Sequence, residues 1–366
     1  MDPEPPTALL RYAPDLERPD PDEADVTRQI IDEMGKVART VFRHSGHAER
    51  GVHAKSHGLL RGELRVLDGL PPVLAQGLFA APATYPVVLR LSTNPGDVLD
   101  DDVSTPRGLA LKVIGVAGER LPGAPGETQD FVMANAPAFS AATPRDFLKS
   151  LKLVAATTDK PQILKKAVSA VMRGAEAALE KVGGHSATLL ALGGQPRTHI
   201  LGESFYSQVP IRYGDHVAKV QVRPASPNLR ALTGAPLDHR GDPDALRDSV
   251  LDFFAGAAAE WELCVQLATS RDTMPIEDAS AAWPEDESPY VPVARIAVPA
   301  QDSWTEEAHR RIDDAMAFSP WHGLAAHRPL GAVMRVRQAV YEASARFRAE
   351  ANHVSITEPD RDGATA

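Results

Sequence analysis

Tyr85-Pro-Val-Val-Leu-Arg-Leu-Ser92 is the stretch on which the fold turns. It is short, rich in aliphatic and β-branched side chains, and followed by Asn94-Pro95-Gly96-Asp97. That combination predicts a strand closed by a turn. Arg90 is its odd member, because a guanidinium on an apolar strand needs an anionic or polar partner. The same texture recurs in GELRVL (62–67), RGLALKVIGV (107–116) and TQDFVMAN (128–135). A second batch follows in ESFYSQVPIRY (203–213), HVAKVQVRPA (216–225), WELCVQLATS (261–270) and VARIAVPA (293–300). Between the batches, 144–184 reads as helix.

Helices also flank the strands. Asp20 is expected to cap a helix with Pro21 at its first position and Glu23 in capping-box register. Val26, Ile30, Met34, Val37 and Val41 then mark one apolar face, ending near Gly46. Ser303 and Glu306 open a candidate helix over 303–319, and a last one spans about 330–350. Strands in two batches, with helices inserted and appended, predict an α+β fold built on an antiparallel sheet or barrel rather than a βαβ alternation. The expected divisions are an arm and helix over 1–45, a barrel domain over 46–302 carrying the 144–184 insertion, and C-terminal helices over 303–366.

Composition bounds the function. The 366 residues are 43% hydrophobic and 24% charged, ordinary for a globular chain, and length suggests one large or two average domains. A net charge of −10 argues against nucleic acid or an anionic membrane as partner. Cys264 is the sole cysteine, so an internal disulfide or a cysteine-built metal site is out, and a cytoplasmic location is expected. No secretory leader pattern or 18-residue apolar run is visible, and no dinucleotide or P-loop glycine motif.

Three groups of residues could carry chemistry. His44, His47, His53 and His57 fall close together, but Gly46, Gly51 and Gly58 interrupt any continuous frame, so a metal site made of these four is a weak reading. Arg337, Tyr341 and Arg348 share one helix face, since at 100° per residue both arginines lie within about 40° of the tyrosine. The plain reading is a charged helix with one half-buried tyrosine. The sharper one is a phenolate stabilised by Arg337, a hard ligand for ferric iron. Third come Arg50-Gly-Val52-His53-Ala-Lys, Arg90-Leu-Ser92 and Asn135-Ala-Pro-Ala-Phe139.

Together these segments resemble the haem catalases. Arg50-x-x-His53-Ala-Lys resembles the distal-histidine motif, and Arg90-x-Ser92 the strand bearing a propionate-binding arginine and the serine that bonds the histidine. Thr105-Pro-Arg-Gly-Leu-Ala-Leu-Lys-Val, Asn135-Ala-Pro-Ala-Phe139 and Arg337-x-x-x-Tyr341 with Arg348 are similar to three further motifs, in the family's order over about 46–350. The resemblance implies an antiparallel eight-stranded β-barrel and haem b, with Tyr341 as the iron ligand and Arg337 pairing its oxygen. It implies His53 and Asn135 as catalytic groups, and Arg50, Val52, Arg90, Ser92, Phe139, Phe147 and Arg348 around the cofactor.

The chain is shorter than large catalases and resembles the small catalase-related branch of peroxidases and allene oxide synthases. His57, Ser140 and Ala343 depart from the catalase pattern, His57 suggesting a different pocket mouth. Val52 stands where allene oxide synthases carry threonine. The expected activity is therefore a peroxidase that reduces hydrogen peroxide or an organic hydroperoxide through a ferryl intermediate, with a small organic donor. A hydroperoxide isomerase or lyase, a true catalase, a biosynthetic haem oxidase and a non-catalytic haem binder are the alternatives. A homodimer or homotetramer without catalase-type NADPH dependence is expected.

Overall fold

In the computed structural model the chain is described over residues 4–6, 8–155 and 195–361. A first meander comprises β1 (Lys55–Val66), β2 (Thr84–Thr93), β3 (Arg107–Ile114) and β4 (Thr128–Ala134). A second comprises β5 (Phe205–Tyr206), β6 (Ile211–Tyr213), β7 (His216–Pro224), β8 (Ala259–Leu267) and β9 (Val291–Val298). All neighbours pair antiparallel. The β1–β9 and β4–β5–β7 pairings close eight strands into a barrel, with β6 a hairpin partner on β7. Closure removes the exposed sheet edges that would otherwise invite aggregation.

The two-residue period of the strands sorts their side chains. Val87, Leu89, Leu91, Leu109, Leu111 and Val113 join Val220, Val222, Leu263 and Val265 in one buried cluster that fills the barrel. The alternate residues of the first meander face outward. There Leu59, Val88 and Ile114 pack against Ile312, Met316 and Phe318 from the C-terminal region. A layer of helices completes the cover: α1 (Glu23–Ser45), α2 (Pro144–Ala155) and α4 (Ala332–Asn352), with α3 (Ala245–Phe254) beside β1. Val26, Ile30 and Met34 of α1, Leu148 and Leu151 of α2, and Val336 and Val340 of α4 form their shared core.

The apolar stripe foreseen on α1 is the buried one, and Gly46 ends the helix at φ 74° with its N–H on the Phe42 carbonyl. Its start differs from expectation. Asp22, not Asp20, stands at the cap, and Asp20 contributes its backbone carbonyl to the Glu23 N–H. The helix foreseen over 303–319 is also shorter. Thr305 Oγ1 accepts the Ala308 N–H, a three-residue turn follows, and a π-helical turn covers His309–Asp314. Of the inserted helical stretch, 144–155 is α2, and 156–184 lies outside the described residues. No helix among the described residues is long and apolar enough to cross a membrane.

Candidate active site

Between the outer face of the first meander and the helical layer lies a cavity of about 320 Å³. Arg50, Val52, His53, Arg90, Ser92, Tyr341 and Arg348 all line it. The imidazole and the phenol therefore share one chamber, although 288 residues separate them in the sequence.

His53 enters from the loop before β1 with φ 53°. A non-glycine residue in the left-handed region costs energy that the surroundings must repay, a common feature of working side chains. Its ring lies against β3, where a Cβ on Gly108 would come within 2.6 Å of Nδ1. Only glycine leaves room for that approach. Ser92 Oγ sits 3.3 Å from His53 Nδ1 and reaches the Gly108 carbonyl at 3.5 Å. A serine donating to the carbonyl accepts from Nδ1–H, which makes Nε2 the basic nitrogen. Burial, with Arg90 and Arg337 nearby, pushes the imidazole down to about 3. The ring is neutral at physiological pH.

Tyr341 projects from α4. Arg337, one turn earlier, donates from Nη2 to the tyrosine oxygen at 2.7 Å and lies 5.1 Å from the ring centroid. The contact sets a charged donor on the phenol oxygen. The helix itself is held at its N-terminal end. Arg335 bonds Glu17, Glu23 and Glu277, and Glu277 also accepts the Ala332 N–H at 2.7 Å.

Arg50, Arg90 and Arg348 form a cationic wall. Arg50 donates to the carbonyls of Ile312, Asp313 and Met316, and Arg348 to those of Asp313 and Asp314. Arg90 finds the carboxylate of Asp313, which also accepts from Ser56 at 2.6 Å and contacts His309 Nδ1 at 3.0 Å. Burial works to raise that carboxyl, yet Arg90, His309 and Arg50 hold it far below the usual carboxylate range. Asp314 and Glu49 add their negative charge to that of Asp313 around the three guanidinium groups. Burial, with repulsion from Arg90, brings Arg348 down to about 10. Arg50 Nε and Arg348 Nε have no hydrogen-bond acceptor. These are buried donors suited to an added anion.

Some expected residues are elsewhere. Asn135 lies off the cavity wall, its Nδ2 on Glu203 at 2.7 Å and Gln195 at 3.1 Å, and its Oδ1 taking the Arg107 N–H. Both of its donors are engaged. Phe139 and Phe147 meet as tilted rings with centroids 5.3 Å apart, Phe147 packed against the helical core. Arg337 meets the site through Tyr341 rather than by lining it. His57 is not at a pocket mouth. It is fully buried at a bulge in β1, with Nε2 2.9 Å from Thr93 Oγ1.

Other residues at or behind the cavity wall had no signal in the chain. Asp313 is the buried partner that Arg90 demanded, but its position 223 residues away gives no hint of the pairing. Ser344, one turn beyond Tyr341 in spirit and three residues in sequence, accepts the Gly51 N–H at 3.2 Å and ties α4 to the histidine loop. His322 and Glu358 line the far side, where Lys112, Asp130 and Glu358 form a buried ionic cluster.

No family model matches this sequence, and no curated protein matches it significantly. Solved structures do resemble it in shape. A fungal catalase shares 20% identity at a TM-score of 0.61, covering 86% of this chain and 62% of its own. Catalase A from Saccharomyces cerevisiae and a bacterial catalase each share 18% at 0.56, covering 85% of this chain and 63% and 59% of theirs. The fold is thus the α+β barrel fold of the catalases. The chain spans about three fifths of the length of those structures.

Proposed function

We propose that the protein is a haem-dependent oxidoreductase acting on peroxide, and that it works as a peroxidase with an organic donor. One observation carries this reading: His53 and Tyr341 line a single cavity together with Arg50, Arg90 and Arg348. The residues fit a haem. The phenol oxygen is paired with Arg337, as an anionic iron ligand requires. The unpartnered Nε–H groups of Arg50 and Arg348 suit two propionates.

When bound, haem b would supply the iron centre that cleaves the O–O bond and stores its oxidising equivalents. The protein's own part is proton handling and orientation. Neutral His53 accepts the peroxide proton at Nε2 and returns it to the departing oxygen, general base then general acid. Ser92 keeps the ring in that tautomer. Arg337 keeps the Tyr341 oxygen supplied with a charged donor. Val52 lines the cavity beside His53, and the resemblance, in which allene oxide synthases carry threonine at this position, favours peroxide cleavage over hydroperoxide rearrangement.

Asn135 is the reason for preferring peroxidase to rapid dismutation. Its amide would have to leave Glu203 and Gln195 to orient a peroxide, so His53 acts alone on the substrate. A homo-oligomer completes the proposal.

The test is an absorption spectrum of the purified protein, supplied with haem during expression, followed by a peroxide assay. A high-spin ferric tyrosinate spectrum, lost in Tyr341→Phe, is the expected result. Failure to retain haem, or an unaltered spectrum in Tyr341→Phe, removes the cofactor assignment. Vigorous oxygen release from hydrogen peroxide without donor would replace peroxidase by catalase.

A further inference from the structure

The π-helical turn His309–Asp314 has two sides. Its carbonyls and Asp313 meet the arginine wall, as described above. Its outer side presents His309 and Asp314 beside His47, which follows the end of α1. Ligand-type atoms of these three side chains all lie within 4.8 Å of one another. We infer that His47, His309 and Asp314 form a binding site for one divalent first-row transition metal ion, of the zinc type.

Three features of the geometry support it. In an α-helix, residues five apart point about 140° away from each other, whereas a π-turn brings such residues toward one face. The unusual turn is what places His309 and Asp314 together. Next, His309 Nδ1 is bonded to the Asp313 carboxylate at 3.0 Å, so Nε2 is the ring nitrogen left for a ligand. A carboxylate behind a histidine fixes its tautomer and raises its basicity, as at many metal sites. Finally, the cluster is partly shielded. The side chains of His47, His309 and Asp314 are 36%, 23% and 11% exposed, open enough for an ion to enter and for water to complete its shell.

Two nitrogens and one oxygen favour zinc, cobalt or nickel over magnesium or calcium, which prefer all-oxygen shells. The ion would replace the proton now shared between His47 Nε2 and Asp314 Oδ1 at 2.9 Å. It would also displace the Asn352 Nδ2 contact on His47 at 3.3 Å, while Asn352 keeps both its bonds to the Ala48 backbone. Ligation here would brace the turn from outside while the arginines hold it from inside. The site stands or falls without reference to haem.

Cobalt(II) titrated into chelator-treated full-length protein is the direct probe. The expected result is a visible d–d spectrum saturating at one ion per chain and bleached by zinc(II), with a melting temperature several degrees higher in saturating zinc. His47→Ala and His309→Gln, each checked for a native melting transition, should each weaken binding at least tenfold. His44→Ala should leave it unchanged. Absence of a one-to-one spectrum overturns the inference, as does binding indifferent to both variants. Should His309→Gln fail to fold, His47→Ala decides alone.

Discussion

β2 sends Val87, Leu89 and Leu91 into the barrel and Val88, Arg90 and Ser92 the other way; β3 does the same with Leu109, Leu111 and Val113 against Gly108, Ala110 and Lys112. Both faces are buried, yet by different means. The inner face is closed by hydrocarbon from the opposite strands, a non-directional force that depends on volume. The outer face is closed by helices and turns from far along the chain, and its charges are satisfied one partner at a time. Arg90 meets Asp313, and Lys112 meets Asp130, all four buried, with the partly buried Glu358 as a second partner of Lys112. One face of a strand can therefore build the core while the other builds the site.

If that contrast is right, the outer face should fail through charge and the inner face through volume. The largest effect is expected from Asp313→Ala, which leaves Arg90 buried without its carboxylate and should cost about 3–5 kcal/mol in urea unfolding. The double variant with Arg90→Met should recover part of that loss. A cost below about 1 kcal/mol for Asp313→Ala would mean the wall is not electrostatically closed. On the inner face, Leu111→Ala should cost about 2–5 kcal/mol through its cavity. Its cost should be the same at pH 6 and pH 9, and a pH-dependent cost would blur the two faces.

His322 sharpens the contrast by pH. Burial opposes its charge, but Asp130 and Glu358, the latter 3.1 Å from Nδ1, raise it to about 9. The folded state thus binds a proton that the unfolded histidine gives up near 6.5. Its stabilisation is complete below that pH and disappears as pH rises through about 9, on the order of 1–3 kcal/mol. Unfolding free energies from pH 6 to 9.5 should show this decline, and His322→Gln should flatten it.

The smallest stability change is expected from Gly108→Ala, about 1 kcal/mol, because a movable imidazole absorbs the clash. Peroxide turnover should nonetheless fall about a hundredfold as His53 is pushed aside. Turnover that survives this variant would show that the ring's place against β3 is unimportant.

Several elements were legible in the chain because they rest on short-range regularities. The period of two marked the strands, and the spacing of Val26, Ile30, Met34, Val37 and Val41 marked the buried side of α1. Gly46 ended that helix where only a permissive residue could. Local rules misjudged ends where competing bonds won. Asp20 gave its carbonyl rather than its side chain, and the segment after Thr305 adopted a π-turn in place of a long helix. The weak reading of the histidine cluster has its reason in the tertiary structure. Neighbours in sequence were separated, with His53 in the cavity, His57 at the β1 bulge, and His47 joined to His309 and Asp314.

The amino-acid sequence by itself determined which residues alternate, which helix faces are apolar, and that an arginine at position 90 would need an anion. Those properties follow from backbone periodicity and from the cost of desolvating a charge, which act at any single residue. Only the tertiary structure decided that Asp313 would be that anion, that Asn135 would turn to Glu203, and that His53 and Tyr341 would face one chamber. Such pairings depend on distances between segments hundreds of residues apart, and barrel closure and helix packing set those distances.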